Sequence, residues 1–172
     1  MPHRGQWTLE VNMSGGRKSD LSKRFRRAQG FSLIELLIVV AVILIIAAIA
    51  IPNFLRAKMA ANESAAVSSI HSINTAEIAY SSALPTVGFS ALLTDLGPAG
   101  GAYIDNQLAS GTKSGYVYTY APGGTVPNTT YTLNADPLTR GVTGQRSFFS
   151  NEVSVTHYNQ SAAATVNDNT IQ

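Results

Sequence analysis

At 172 residues the chain has room for one modest globular domain beside a membrane segment. Charged residues make up 13% of it, about half the usual share for a soluble domain, and it has no cysteine, which excludes disulfides, thiolate metal sites and cysteine nucleophiles. The net charge of +2 hides seven basic against two acidic residues up to Gly30, and five basic against eight acidic from Phe31 onward, so a nucleic-acid-binding domain is not expected.

Residues 1–20 are polar and show little periodicity, which predicts a disordered leader. A cluster of Lys23, Arg24, Arg26 and Arg27 follows. Next comes an apolar run from Phe31 to Ile51, 21 residues interrupted by only Ser32 and Glu35. As a helix this run would span about 31 Å, enough to cross a bilayer core. The basic cluster before it predicts a cytoplasmic N-terminus and an exported C-terminal domain. An ordinary secretory signal cut after Ala48-Ile49-Ala50, or an anchor that is never cut, are the plainer alternatives. The long basic stretch and the acid inside the apolar run argue against the first, and only the motif that follows argues against the second.

The letters RRAQGFSLIELLIVVAVILIIAAIAIPNFL, from Arg26 to Leu55, resemble the N-terminus of the type IV pilin and type II secretion pseudopilin family. The likeness rests on the basic leader, Gly30, Phe31, the acid Glu35 at the fifth position after Gly30, and Pro52 near the far end of the span. It covers about 30 residues and weakens towards Tyr80. The resemblance implies cleavage between Gly30 and Phe31 by a prepilin peptidase that also methylates the new amine of Phe31. It further implies assembly through pairing of Glu35 of one subunit with the Phe31 amine of its neighbour. Within one chain the two residues stand at i and i+4 and share a helix face. The span contains no Lys, Arg or His, so that amine is the nearest cation available to the acid.

Helical signals continue to Leu84, and Pro85 ends them. Leu55, Met59, Ala66, Ile70, Ile73 and Tyr80 form the predicted apolar stripe, with Val67 and Asn74 at its edge. A helix over 31–84 would be about 80 Å long. Pro52 removes one backbone hydrogen bond and predicts a helix break, read either as local unwinding on assembly or as the mark of membrane exit. Arg56 and Lys58 would meet the outer headgroups, and His71 is expected on the surface.

Beyond Pro85, residues 89–96 predict a helical turn and 97–101 a loop. Alternation predicts strands at 115–120, with Tyr116, Tyr118 and Tyr120 on one face, at 129–135, with Tyr131 and Leu133, and at 152–158, with Val153, Val155 and His157. Pro122-Gly123-Gly124 through Pro127-Asn128 predicts a hairpin between the first two. Residues 135–150 more loosely resemble C-terminal segments of small pilin-like proteins. Major pseudopilins carry calcium in such loops, and Asp136, Asn151, Glu152 and Asp168 are the candidate oxygen donors, although no spaced acid motif supports a site.

The expected fold class is α+β and pilin-like, a long N-terminal helix packed on a small antiparallel sheet of three to four strands. The expected division is a leader over 1–30, removed; a transmembrane half-helix over 31–51; an amphipathic half over 52–84; and a β domain over 85–172. No nucleophile elbow, P-loop or zinc motif appears, so no enzyme and no cofactor is expected, with calcium as the one alternative. The first reading of function is a structural subunit of a type IV pilus. The alternative is a type II secretion pseudopilin, and a membrane-anchored exported binding protein or enzyme stands behind both. The expected partners are the peptidase, identical subunits in a helical filament, an inner-membrane assembly platform with its ATPase, and the bilayer. The expected location is the inner membrane first, then the pilus or pseudopilus.

Overall fold

The computed structural model describes residues 30–171. The leader expected over 1–30 lies outside the described residues except for Gly30. The described residues form two units that adjoin in sequence between Val40 and Ala41.

Helix α1 runs Leu33–Ala83. Leu, Ile and Ala, all good helix formers, dominate it, and it is long and apolar enough over its first part to cross a membrane. The break expected at Pro52 is absent: the proline lies inside α1 and the helix continues through it. A proline forfeits one bond of the ladder, and the neighbouring turns can carry that loss in a helix of 51 residues. At the far end Leu84 still donates to the Tyr80 carbonyl at 2.9 Å before Pro85 stops the helix.

The second half of α1 buries Glu63, Ala66, Ile70, Ile73, Glu77 and Tyr80, a stripe spaced 3, 4, 3, 4 and 3 residues apart. This corrects the expected stripe at its N-terminal end and adds to it. Leu55 is exposed and Met59 half-buried, while two acids that the sequence reading left out are buried. Asn74, placed at the stripe's edge, is buried as well, and Val67 packs against the core.

Between helix and sheet come a 3-10 turn, Leu93–Leu96, where a helical turn was expected, and a one-turn helix α2, Asn106–Ala109, which was not. The antiparallel sheet has six strands in sequence order: β1 Thr112–Lys113, β2 Tyr116–Gly123, β3 Thr130–Pro137, β4 Ser147–Asn151, β5 His157–Asn159 and β6 Asn169–Thr170. The expected count of three to four is therefore too low. β1 and β6 are two residues each, too short to show periodicity.

The hairpin of β2 and β3 follows the predicted pattern. Tyr118 pairs with Ala135 and Tyr120 with Leu133, and Tyr116, Tyr118, Tyr131, Leu133 and Ala135 are buried against α1. Of the strand expected at 152–158 only His157 and Tyr158 are in one, β5; residues 152–156 form a turn between β4 and β5. The Asn151 side chain accepts the Val153 N–H at 3.2 Å, and the Ser154 N–H donates to the Asn151 carbonyl at 2.8 Å. This Asx-type turn overrides the alternation of Val153 and Val155. Both valines are exposed rather than packed beside His157.

β4 breaks the alternation rule for a different reason. Ser147, Phe148, Phe149 and Ser150 are all buried. Phe148 belongs to the core beneath the sheet. Phe149 points the other way, where the segment between β5 and β6 crosses the sheet with Ala164 buried and its carbonyl accepting from Asn134 Nδ2 at 3.0 Å.

Candidate processing and assembly segment

Gly30, Phe31 and Ser32 precede the helix in non-helical backbone. Phe31 is 84% exposed, and no atom lies within 4 Å of where a Cβ on Gly30 would stand. The Gly30–Phe31 bond is thus open on all sides among the described residues.

Ser32 is the residue before the first helical turn. Its carbonyl accepts the Leu36 N–H at 3.2 Å, and its own N–H donates to Glu35 Oε2 at 2.9 Å. The run Ser32-Leu33-Ile34-Glu35 therefore makes the return half of a capping box, in which the acid three residues in satisfies the N–H that the helix leaves open. The sequence reading missed this contact, although the S-x-x-E spacing signals it. Among the described residues Glu35 has no cationic partner; the ion pairs there are Lys113–Asp105 and Arg146–Glu63.

From Leu33 to Ile51 every side chain is exposed apart from a half-buried Ala47. In water that surface would be strongly unfavourable, at roughly 1.5–3 kcal/mol for each large side chain left unburied. It needs lipid or other helices around it. Arg56 and Lys58 are exposed just beyond, and His71 is on the surface as expected.

Two carboxylates on α1 hold the domain together. Glu63 accepts from the backbone N–H groups of Gln145 at 2.8 Å and Arg146 at 3.1 Å, and from Arg146 Nε at 2.8 Å. Asn62 Nδ2 beside it donates to the Thr143 carbonyl at 2.8 Å. Burial pushes the Glu63 carboxyl up, but these donors outweigh it and hold its pKa below the ordinary carboxylate value. About four turns further on, fully buried Glu77 accepts from the Ser90 N–H at 2.9 Å and the Ser90 hydroxyl at 2.5 Å. Between the two acids, Asn74 donates to Ser150 Oγ and accepts from Tyr131 Oη, each at 2.9 Å.

The four calcium candidates do not converge. Asp136 sits on β3 opposite Val117, and Asn151 sits opposite Thr132, about 13 Å along the sheet from Asp136. Glu152 begins the turn after β4. The Asp168 carboxylate already accepts from Asn159 Nδ2 at 2.8 Å and from the Thr165 N–H and hydroxyl at 2.7 and 2.8 Å. Among the described residues no group of three or more His, Cys, Asp or Glu could hold a metal ion. The donor set does not fit calcium.

Comparison with known proteins bears on the same N-terminal stretch. Residues 25–51 match the family model described as the prokaryotic N-terminal methylation motif. Over 54 residues, 31% of this chain, the sequence is 46% identical to the type IV major pilin protein PilA of Myxococcus xanthus, covering 24% of that protein. Over 38 residues, 22% of this chain, it is 60% identical to the type IV wide pilus major component PilA4 of Thermus thermophilus, covering 29% of it. The matches thus span about a quarter of the length of these curated relatives. No solved structure matches the chain significantly. Over this N-terminal segment, with its accessible Gly30 and its single acid on an exposed apolar helix, the chain is similar to type IV major pilins.

Proposed function

We propose that this chain is a structural, non-catalytic subunit of a type IV pilus. A prepilin peptidase cuts it between Gly30 and Phe31 and methylates the new amine, and the mature subunits polymerise through the first part of α1. The observation that carries this reading is one helix stretch, Leu33–Ile51, exposed along its length and bearing one acid at a fixed distance from an accessible glycine bond. An apolar surface of that kind is stable in a bilayer before assembly and against copies of itself afterwards.

Glu35 supplies the specificity. An acid within an apolar span costs roughly 2.5–3.5 kcal/mol at the centre, less near the interface. The Ser32 N–H meets part of that cost within the chain. The second oxygen remains for the Phe31 amine of a neighbouring subunit, which exists only after cleavage. The basic cluster before Phe31 keeps the N-terminus in the cytoplasm and the β domain outside. Extraction of the subunit from the membrane falls to an inner-membrane platform and its ATPase. Both named relatives are pilus components, which supports a pilus over a pseudopilus.

Mass spectrometry of filaments sheared from cells tests the reading. An abundant N-terminal peptide starting at N-methyl-Phe31 is expected. A mature chain beginning at Ile51, or one that keeps residues 1–30, would refute it.

A further inference from the structure

Strand β4 carries a donor-rich groove at one end and an acid at the other. Arg146 immediately precedes it and Glu152 immediately follows it. The Arg146 guanidinium is fixed: Nε donates to Glu63, and its carbon lies 5.5 Å from the Phe148 ring centre and 5.4 Å from that of Tyr158. Its two terminal nitrogens make no hydrogen bond among the described residues, and the side chain is 37% exposed. They line an open groove of about 450 Å³ walled by Ser64, Ser68 and His71 of α1 and floored by Val67 and Ile171. The groove offers several N–H and O–H donors beside an apolar floor, with its nearest acid, Glu63, already engaged beneath.

At the other end of β4 the turn places a half-buried acid, Glu152, beside an exposed valine. The Glu152 carboxylate makes no hydrogen bond or ion pair among the described residues, and Val153 next to it is 67% exposed. The turn is held in shape by Asn151 and by Ser154 in the left-handed region, at φ 62°. Six residues of extended chain separate Arg146 from Glu152, about 20 Å, so one molecule cannot bring its own acid to its own groove. A contact between unlike patches on identical molecules is heterologous. It leaves a patch open at each end of the pair and propagates into a filament when it does not close into a ring.

We propose that the Glu152–Val153 turn of one subunit docks into the Arg146–His71 groove of a second copy of this chain. The carboxylate meets the guanidinium and the imidazole, and the valine meets Val67 and Ile171. The proposal rests on the filament-subunit reading above and names a contact between exported domains, separate from the one at Glu35. Such a rim contact sets register and specificity more than affinity.

The chain has no cysteine, so paired substitutions report directly. In filaments sheared from cells making the full chain, Ser68→Cys with Val153→Cys should give a ladder of disulfide-linked multimers on oxidation, and either substitution alone should give none. A charge exchange provides the second arm. Glu152→Lys alone and Ser68→Glu alone should each lower filament yield about tenfold with folded subunit still in the membrane, and the two together should restore it to within about twofold. Monomer bands alone from filaments of the double-cysteine chain would overturn the proposal. So would normal yield from both single charge variants, or no recovery when they are combined. Failure of the unsubstituted chain to form filaments with a methylated Phe31 would count against the filament reading instead.

Discussion

Glu35 accepts the Ser32 N–H and, in the proposed filament, also pairs with a neighbour's Phe31 amine; substitutions can separate the two roles. Glutamine can still accept the Ser32 N–H, whereas alanine cannot. Neither carries charge for the amine. Glu35→Gln and Glu35→Ala are both expected to be cleaved and to lose filaments by about tenfold or more, equivalent to about 1.4 kcal/mol per tenfold. Backbone amide exchange at Ser32 in detergent should be slow in the wild type and in Glu35→Gln, and faster in Glu35→Ala. Filaments at normal yield from Glu35→Gln would remove charge pairing from the account. Glu63 supplies a second test at this scale. Its folded pKa lies below the unfolded value, so its contribution is fully present above the ordinary carboxylate range and is lost as pH falls through the folded value. Chemical denaturation in detergent should show stability falling as the solution is acidified below about pH 4, and Glu63→Gln should flatten that fall. The motif that holds Gly30, Phe31 and Glu35 was legible in the sequence because its residues stand at fixed spacing. The buried acids were not read, because single-residue polarity places Glu outside a core. The 3-4 spacing of Glu63, Ala66, Ile70, Ile73, Glu77 and Tyr80 held that information.

At the level of the elements, α1 and the sheet meet across a face that is partly polar, and its energetics follow from satisfied hydrogen bonds. Glu77→Ala should destabilise the domain by roughly 2–4 kcal/mol, since it opens a cavity and leaves the buried Ser90 N–H without an acceptor. A urea titration followed by circular dichroism would measure it. Gly88→Ala should also destabilise. Gly88 has φ +79°, and a methyl group there would run into the Asn128 backbone, to which the loop is bonded through Phe89 N–H at 2.9 Å. The tyrosines of the sheet make the domain sensitive to base. Burial, helped by nearby Glu77, pushes the Tyr131 phenol up to about 12, and burial raises Tyr116 and Tyr120 as well. Their contribution is fully present below the unfolded phenol pKa of about 10 and drops away as pH rises beyond it. Ionisation of these phenols should coincide with loss of tertiary structure, not precede it. The β2–β3 hairpin was readable from alternation because one of its faces is buried. β4 was missed because both of its faces are covered, and the turn at 152–156 was misassigned because a side-chain hydrogen bond outranked the pattern.

For the molecule as a whole, the segment between β5 and β6 acts as a strap over the outer face of the sheet. Arg140 anchors it without a carboxylate partner. Its guanidinium donates to the Gln145, Gln160 and Ala162 carbonyls at 2.5, 3.0 and 3.2 Å and to Ser147 Oγ at 2.7 Å. Arg140→Ala should cost about 1–3 kcal/mol in a denaturant titration, and Arg140→Lys should recover little of it, because an ammonium cannot reach four acceptors with the geometry of a planar fork.

That strap leaves the ribosome after β1 to β5, and long after the greasy stretch at residues 33–51. On the proposed membrane anchoring, a nascent chain would be committed to the lipid phase before Phe149 and its neighbours can be covered. During that interval the half-made sheet shows raw hydrophobic surface. Shortening the chain before Ala164 should not merely loosen the finished subunit. It should leave the molecule permanently in that unfinished state, anchored and aggregation-prone.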